Sequence, residues 1–444
     1  MANLRFLTSG ESHGRALTGI LEGIPSGFLI SSADIDRDLR RRQGGYGRGG
    51  RMKIESDHAE ILSGVRFGKT TGSPISILIE NKDWENWKDI MKAEGMELRA
   101  NSELTKESIS NVSVPVIPAC RESFREEGLR TSRNDKQCGF TNGLISKYVT
   151  CPRPGHADLA GALKYDHRDI RNILERSSAR ETAMRVALGA IAKKFLSEFD
   201  IRIGSYAIQI GSQQLAISSQ NFKKKDLLKA FEAAEKSPVR CPDPKVSKDM
   251  IRLIDKAIKE GNSLGGIFEV FITGVPVGLG SHVQWDRKLD GRLAQALMSI
   301  QAIKGVEIGL GFEMAGKFGS EVMDEIFYRS TKYKVQSTKF YRKTNNAGGV
   351  EGGMSNGMPV IIRAAMKPIP TLRKPLMSVD INTKEVFKAA YERSDICAVP
   401  AAAVVAEAMA ALVTADAFLE KFGGDSKKEI TRNYRSYISY LNTF

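Results

Sequence analysis

Residues 400–424 read PAAAVVAEAMAALVTADAFLEKFGG. Ala, Val, Met, Leu and Phe fill almost every position around the helical wheel, Pro400 is tolerated in a first turn, and Gly423-Gly424 stops the run. The pattern predicts a helix over 400–421 that is apolar nearly all round, which belongs at the centre of a fold rather than on its surface. Outward from it, strand-like runs rich in Ile, Val and aromatics appear at 16–21, 74–80, 201–210, 266–273 and 359–365, bounded by Gly, Pro or Asn. Helical spacing marks 33–42 (with Ser32 as N-cap), 179–198, 225–235, 247–260 and 290–303, the last with Asp290 as cap. Strands and helices do not alternate in a βαβ rhythm, and neither a repeat nor a low-complexity linker divides the chain. The fold class read from this is α+β, and one unit or several domains both remain open.

The chain has 444 residues, 41% of them hydrophobic, enough to bury a large core. Lys plus Arg number 66 against 52 Asp plus Glu, a formal charge of +14 that favours an anionic partner: nucleic acid, an acidic membrane surface, or a phosphorylated and carboxylated small molecule. The five cysteines (Cys120, Cys138, Cys151, Cys241 and Cys397) are odd in number and widely spaced, so no disulfide framework and no metal site is expected. No signal-peptide pattern opens the chain and no apolar run approaches the roughly 20 residues of a membrane span. It reads as cytoplasmic.

Several stretches carry chemistry. Gly10-Glu11-Ser12-His13-Gly14 satisfies G-x-S-x-G, which would make Ser12 a hydrolase nucleophile. Only nine residues precede it, however, too few for the strands that normally support such an elbow. The alternatives are a His13 that faces a ligand as acid or base, or a His bonded within a tight turn. Residues 40–53, RRRQGGYGRGGRMK, interleave five arginines with five glycines; they suit a shaped anion site or, by their RGG look, single-stranded nucleic acid. Arg176-Ser177-Ser178-Ala179-Arg180-Glu181 opens a helix with hydroxyls and arginines, an anion site compatible with a Ser178–Glu181 capping box. Pro152-Arg153-Pro154-Gly155-His156-Ala157-Asp158 is a rigid turn carrying a His with a carboxylate nearby. Arg393-Ser394-Asp395 precedes the apolar helix.

Taken in order, GESHG, RRRQGGYGRGGR, PRPGHAD, ERSSARETAMR, SIQAIKGVEIG, NNAGGVEGGMSNG, MKPIPT and ERSDICAVPAAAVVAEA resemble the blocks of chorismate synthases, nearest the Gram-positive-type bacterial branch. The resemblance covers nearly the whole chain. It implies a β-α-β sandwich, a single domain over 1–444 with antiparallel sheets around buried helices, assembled as a homotetramer. It also implies a reduced-FMN-dependent loss of phosphate from 5-enolpyruvylshikimate 3-phosphate. NADP is associated with the family, and the lack of a βαβ setting argues against a built-in flavin reductase, so a separate flavin reductase is an expected partner. Neither nucleic acid nor membrane is an implied partner. By motif, His13 is expected to protonate the leaving phosphate, His156 to meet the anionic flavin, and Asp395 to act as base. Arg42, Arg48 and Arg51, with Arg153 and Arg180, are expected on the substrate. The FMN contacts map onto Arg176, Ser177, Ser178, Gln301, Ala302, Gly352, Lys367, Pro368, Ile369, Pro370, Thr371 and Arg393. Gln301 departs from the family, which usually has Asn there. His58, His167 and His282 fall outside these motifs and read as structural or surface residues.

Against the family pattern the chain spends about forty more residues between Met91 and Pro152, beyond ordinary loop lengths. The segment at about 101–150 is polar, weakly periodic and rich in charge. It reads as a surface insertion, or alternatively as a lid or docking element, because it runs into the turn that carries His156.

Overall fold

The computed structural model describes residues 4–49, 56–91, 93, 148–215, 223–328, 338–374, 376–389 and 395–444. The apolar run forms a helix over Val399–Phe422 with Pro400 in its first turn. It is long and apolar enough to cross a membrane, but 94% of its most apolar window is buried inside the protein, so it is a core helix. Its alanines let neighbours approach on every side, because a small side chain keeps two backbones close without leaving a void. The helix Thr182–Ser197 lies alongside it and runs in the same direction: Gly189 meets Ala408, and further along Phe195 packs on Phe418 with ring centroids 5.7 Å apart. A Cβ built on Gly189 would sit 2.3 Å from the Ala408 Cβ, so this crossing requires glycine.

Sheets cover both sides of this helical layer. The first has the strand order Arg5–Ser9, Ala16–Glu22, Ile75–Glu80, Glu60–Ile61, all antiparallel. The second runs Ile303–Ile308, Val360–Met366, Gly266–Thr273, Arg202–Ile210, Gln213–Gln214, again antiparallel. Thr182–Ser197 packs on the first sheet and Val399–Phe422 on the second, with Ser32–Gln43 beside both helices. The architecture is a β-α-β sandwich of the α+β class. Residues 267–273 and 203–208 are apolar at nearly every position because the second sheet is covered on its outer face too, by Lys224–Glu235. One hydrophobic cluster spans both sheets, from Leu4 to Ile430.

The local expectations need three corrections. Ser31, not Ser32, caps the first helix: its hydroxyl accepts from the Asp34 amide at 3.4 Å while Asp34 accepts from the Ser31 amide at 3.1 Å. The 179–198 helix begins as a 3₁₀ turn, Ala179–Glu181, capped by Ser178; Glu181 does not close the box because its carboxylate is taken by Thr8 and Arg185. The predicted 290–303 helix is Leu289–Met298, with Asp290 inside it, and a strand starts at Ile303.

Candidate active site

The first sheet ends where Ser9 pairs Thr18 and Ala16 pairs Glu80; the loop Gly10–Arg15 joins the first two strands there. The second sheet ends where Ile303, Met366, Gly266 and Ile210 lie in line. The linkages below bring these sheet ends together with the N-termini of Thr182–Ser197 and Val399–Phe422, each a source of partial positive charge.

His13 sits in the Gly10–Arg15 loop. Its Nδ1 lies 2.9 and 3.0 Å from the two carboxylate oxygens of Glu175, and its amide donates to Glu175 Oε2 at 2.8 Å. Its ring stacks on Trp87, centroids 4.0 Å apart. Glu175, in the helix Arg171–Ser177, has a side chain only 1% exposed. Burial pushes its pKa up, but the hydrogen bond and charge of His13, with Arg171 behind, hold it below the ordinary value. Arg176 donates to the carbonyls of Thr8 and Gly10, and Ser178 Oγ donates to Ser12 Oγ at 3.2 Å. Ser177 bonds back to its own helix at Leu174 O.

Arg42 and Arg180 are both buried and share Asp57: Arg180 donates to it at 2.5 Å, and Arg42 lies 3.6 Å from its second oxygen. Arg42 also donates to Thr182 Oγ1 and Ala179 O, which fastens the arginine-rich segment to the 3₁₀ turn. Asn81 completes the junction by accepting from Arg180 at 2.9 Å and donating to the carbonyls of Glu11 and Gly14. Three sequence blocks thus meet at one place.

The fourth block joins through Asp395. Its carboxylate accepts from the Gly49 amide at 2.7 Å and lies 3.3 Å from Arg48 Nε, while the Ile396 amide donates to Gly47 O. Leu264 donates to Ile396 O, and Ser263 to Ile369 O, so the Lys367–Thr371 segment is tied to the same region. Lys367 donates from its amide to Ala302 O and from its ammonium to Gly155 O, which brings in the Arg153–Asp158 turn. There His156 Nδ1 is 2.5 Å from Asp158 Oδ1, and Arg153 clasps the same carboxylate at 2.8 and 3.1 Å. Gln301 donates to Glu181 at 3.2 Å; its own carbonyl oxygen is buried and, among the described residues, without a hydrogen-bond partner. Burial, reinforced by Lys304, lowers the pKa of Lys367. A cation in that condition gains from an anion beside it.

Similarity to known proteins follows the same outline. Residues 4–419 match the family model described as chorismate synthase. The chain belongs to the chorismate synthase family. A chorismate synthase of Aquifex aeolicus (strain VF5) is 53% identical over 444 residues, covering 99% of both chains. The chorismate synthase of Brevibacillus brevis is 52% identical over 441 residues, covering 99% of this chain and all of its own, so a Gram-positive relative is among the matches. A crystal structure of chorismate synthase superposes with a TM-score of 0.72 at 43% identity, covering 99% of each chain.

Within this family frame, the expected site residues divide. His13, Arg42, Arg48, Arg153, His156, Arg176, Ser177, Ser178, Arg180, Gln301, Ala302, Lys367–Thr371 and Asp395 belong to the linked elements. Gly352 does not: it turns the Val350–Glu351/Met354–Ser355 hairpin, which packs on Leu279–Ser281 beyond the opposite end of the second sheet. Arg51, Arg393 and residues 101–147 lie outside the described residues. Ser12 sits in a strand-to-strand loop rather than a strand-to-helix elbow, which removes the hydrolase geometry. Among the described residues no group of three or more His, Cys, Asp or Glu is placed to hold a metal ion. Glu175, Trp87, Asp57, Asn81 and Glu181 were missed as site residues. Glu175 and Glu181 flank the RSSAR block in sequence, and that adjacency was the available signal.

Proposed function

We propose that this chain catalyses the reaction its family name denotes: a carbon–oxygen lyase step that removes phosphate and a ring proton from 5-enolpyruvylshikimate 3-phosphate to give chorismate, the last common step of aromatic amino-acid biosynthesis. The observation that carries the reading is the junction of His13, the Arg42–Asp57–Arg180 cluster and the Arg48–Asp395 pair, drawn from four stretches remote in sequence. A substrate with two carboxylates and a phosphate needs several fixed cations in a water-poor place, and Arg forks supply them with little reorganisation. Arg48 and Arg153 are read as direct substrate contacts. Arg42 and Arg180 add buried charge behind them.

In the proposed reaction the C–O bond to phosphate breaks with its electron pair leaving on phosphate, and the ring C–H proton departs as the new double bond forms. His13, held by Glu175, donates a proton to the departing phosphate. Asp395, held by Arg48 and the Gly49 amide, accepts the departing proton. Reduced FMN fits the residues present: a Gln301 carbonyl without a partner among the described residues, Lys367 with its lowered pKa and the Arg176–Ser178 segment offer polar and cationic partners. When bound, it supplies the electron density that offsets charge developing on the carbon skeleton. His156, Ala302, Pro368, Ile369, Pro370, Thr371 and Arg393 are read as lining its site. Gly352 joins that set only if a second copy brings it, which the proposed homotetramer allows. We further propose a cytoplasmic enzyme, one domain over 1–444 with an insertion at about 101–150, that takes reduced flavin from a separate flavin reductase. The test is substitution. Asp395→Asn and His13→Ala should each lower kcat at least about 100-fold, with His58→Ala unchanged; full activity in Asp395→Asn would overturn the arrangement.

A further inference from the structure

His13 and His156 are both held through Nδ1 by a carboxylate whose side chain is 1% exposed, yet the two pairs are built differently. Asp158 is clasped by the Arg153 guanidinium at 2.8 and 3.1 Å and by the Arg153 amide at 3.0 Å, so most of its charge is already matched. Glu175 has a much weaker cation: Arg171 approaches to 3.5 Å only, and its guanidinium lies over the Trp87 ring, 5.2 Å from the centroid. Both Glu175 oxygens are turned on His13, which reaches them with its ring nitrogen and its backbone amide.

We propose that Glu175 is the positioning residue of His13: its carboxylate holds the Nδ1 proton, so that every proton exchanged with a ligand passes through Nε2. A buried carboxylate poorly matched by arginine holds an N–H donor beside it more firmly than an exposed one would. Its own pKa, lowered despite burial, is the same interaction seen from the other side. Among the described residues, the charged groups near His13 are few. Glu175 and Arg171 face it from one helix, and Glu11 lies in its own loop with Oε2 near Gly14. Trp87, held by Asp83 at 2.9 Å, covers the ring from the helix Trp84–Met91. The Trp87 stack fixes the ring plane, and Glu175 fixes the rotation within it. The inference rests on His13 as the acid of the proposed reaction.

The experiment is a pH titration of the imidazole ¹⁵N signals in Glu175→Gln, with His13 assigned among the five histidines by its disappearance in His13→Gln. Gln keeps an acceptor for the His13 amide, and far-UV dichroism checks the fold. At the high-pH end of the titration the parent should show Nδ1–H with a bare Nε2, and Glu175→Gln should lose that fixed tautomer. In turnover kcat should fall while KM changes little, and Glu175→Asp should restore part of the loss. A neutral His13 that keeps the Nδ1–H tautomer in Glu175→Gln as in the parent would overturn the proposal. The titration needs no activity, so a fully active His13→Ala would reject the catalytic reading alone and leave the Glu175–His13 coupling to be judged separately.

Discussion

Gly189→Ala tests the packing that brings the site together. In an isolated helix this change is favourable by about 1 kcal/mol, since glycine is the poorer helix former. Here the added methyl would stand 2.3 Å from the Ala408 Cβ, 2.6 Å from its Cα and 2.8 Å from its carbonyl oxygen. Ordinary contact begins near 3.4 Å, so the helices must separate by roughly 1 Å along much of their length. Two of the three obstructing atoms are backbone and cannot rotate away. Overpacking of a tight core costs about 1–3 kcal/mol and more where the backbone must move; at this crossing we place the cost at the upper end, for a net loss of about 2 kcal/mol. Separation would also shift Thr182 and Val399, whose turns hold Arg42 and follow Asp395. Urea unfolding followed by tryptophan fluorescence should show a lower midpoint for Gly189→Ala, with weaker turnover. Adding Ala408→Gly should recover only part of the loss, because the Ala408 Cα and oxygen remain. A Gly189→Ala protein as stable as its parent would refute the reasoning.

Glu407, fully buried in the central helix, is contacted by Arg41 at 2.7 Å, Lys193 at 2.7 Å and Arg240 at 3.2 Å, and Glu407→Gln should destabilise by about 3–5 kcal/mol; a shift under 1 kcal/mol in urea unfolding would contradict this. Asp57→Asn should leave the Arg42–Arg180 pair mutually repelling and raise KM for the anionic substrate by roughly tenfold or more; unchanged steady-state kinetics would argue against a shared counter-ion. Stability should be flat above about pH 5 and fall on acidification below it, as read by thermal unfolding across pH. Burial pushes the carboxyls of Glu407 and Asp158 up, but Arg41 and Lys193 in one case, and His156 and Arg153 in the other, hold them below their ordinary values. Their contribution is therefore present above the unfolded pKa and lost as pH drops towards the folded one.

Much of the framework was legible because it depends on short-range pattern. The 400–421 run identified the central helix, and five strands were placed within a residue or so, since apolar runs bounded by Gly and Pro carry that signal locally. Arg5–Ser9 and Ile303–Ile308 were missed: one is five residues alternating with exposed positions, the other adjoins a helical pattern that the chain abandons at Met298. The cationic half of the site could be read from RRRQGG and RSSAR, whose residue types fit few purposes. The anionic half could not. Asp57, Glu175 and Glu181 look like surface acids in sequence, and only the fold shows them enclosed against Arg42, Arg180, His13 and Gln301. Nor does spacing reveal that Asp395 would meet the Gly49 amide across the chain.

In the proposed function this junction eliminates phosphate from its substrate with the help of reduced flavin. Its most direct measurement is anaerobic incubation of the protein with 5-enolpyruvylshikimate 3-phosphate and photoreduced FMN, following phosphate and chorismate together. One phosphate per chorismate is expected, catalytic in protein, with neither formed when FMN is omitted or left oxidised. Phosphate release that proceeds equally without flavin, or folded protein that releases none with it, would overturn the proposed function.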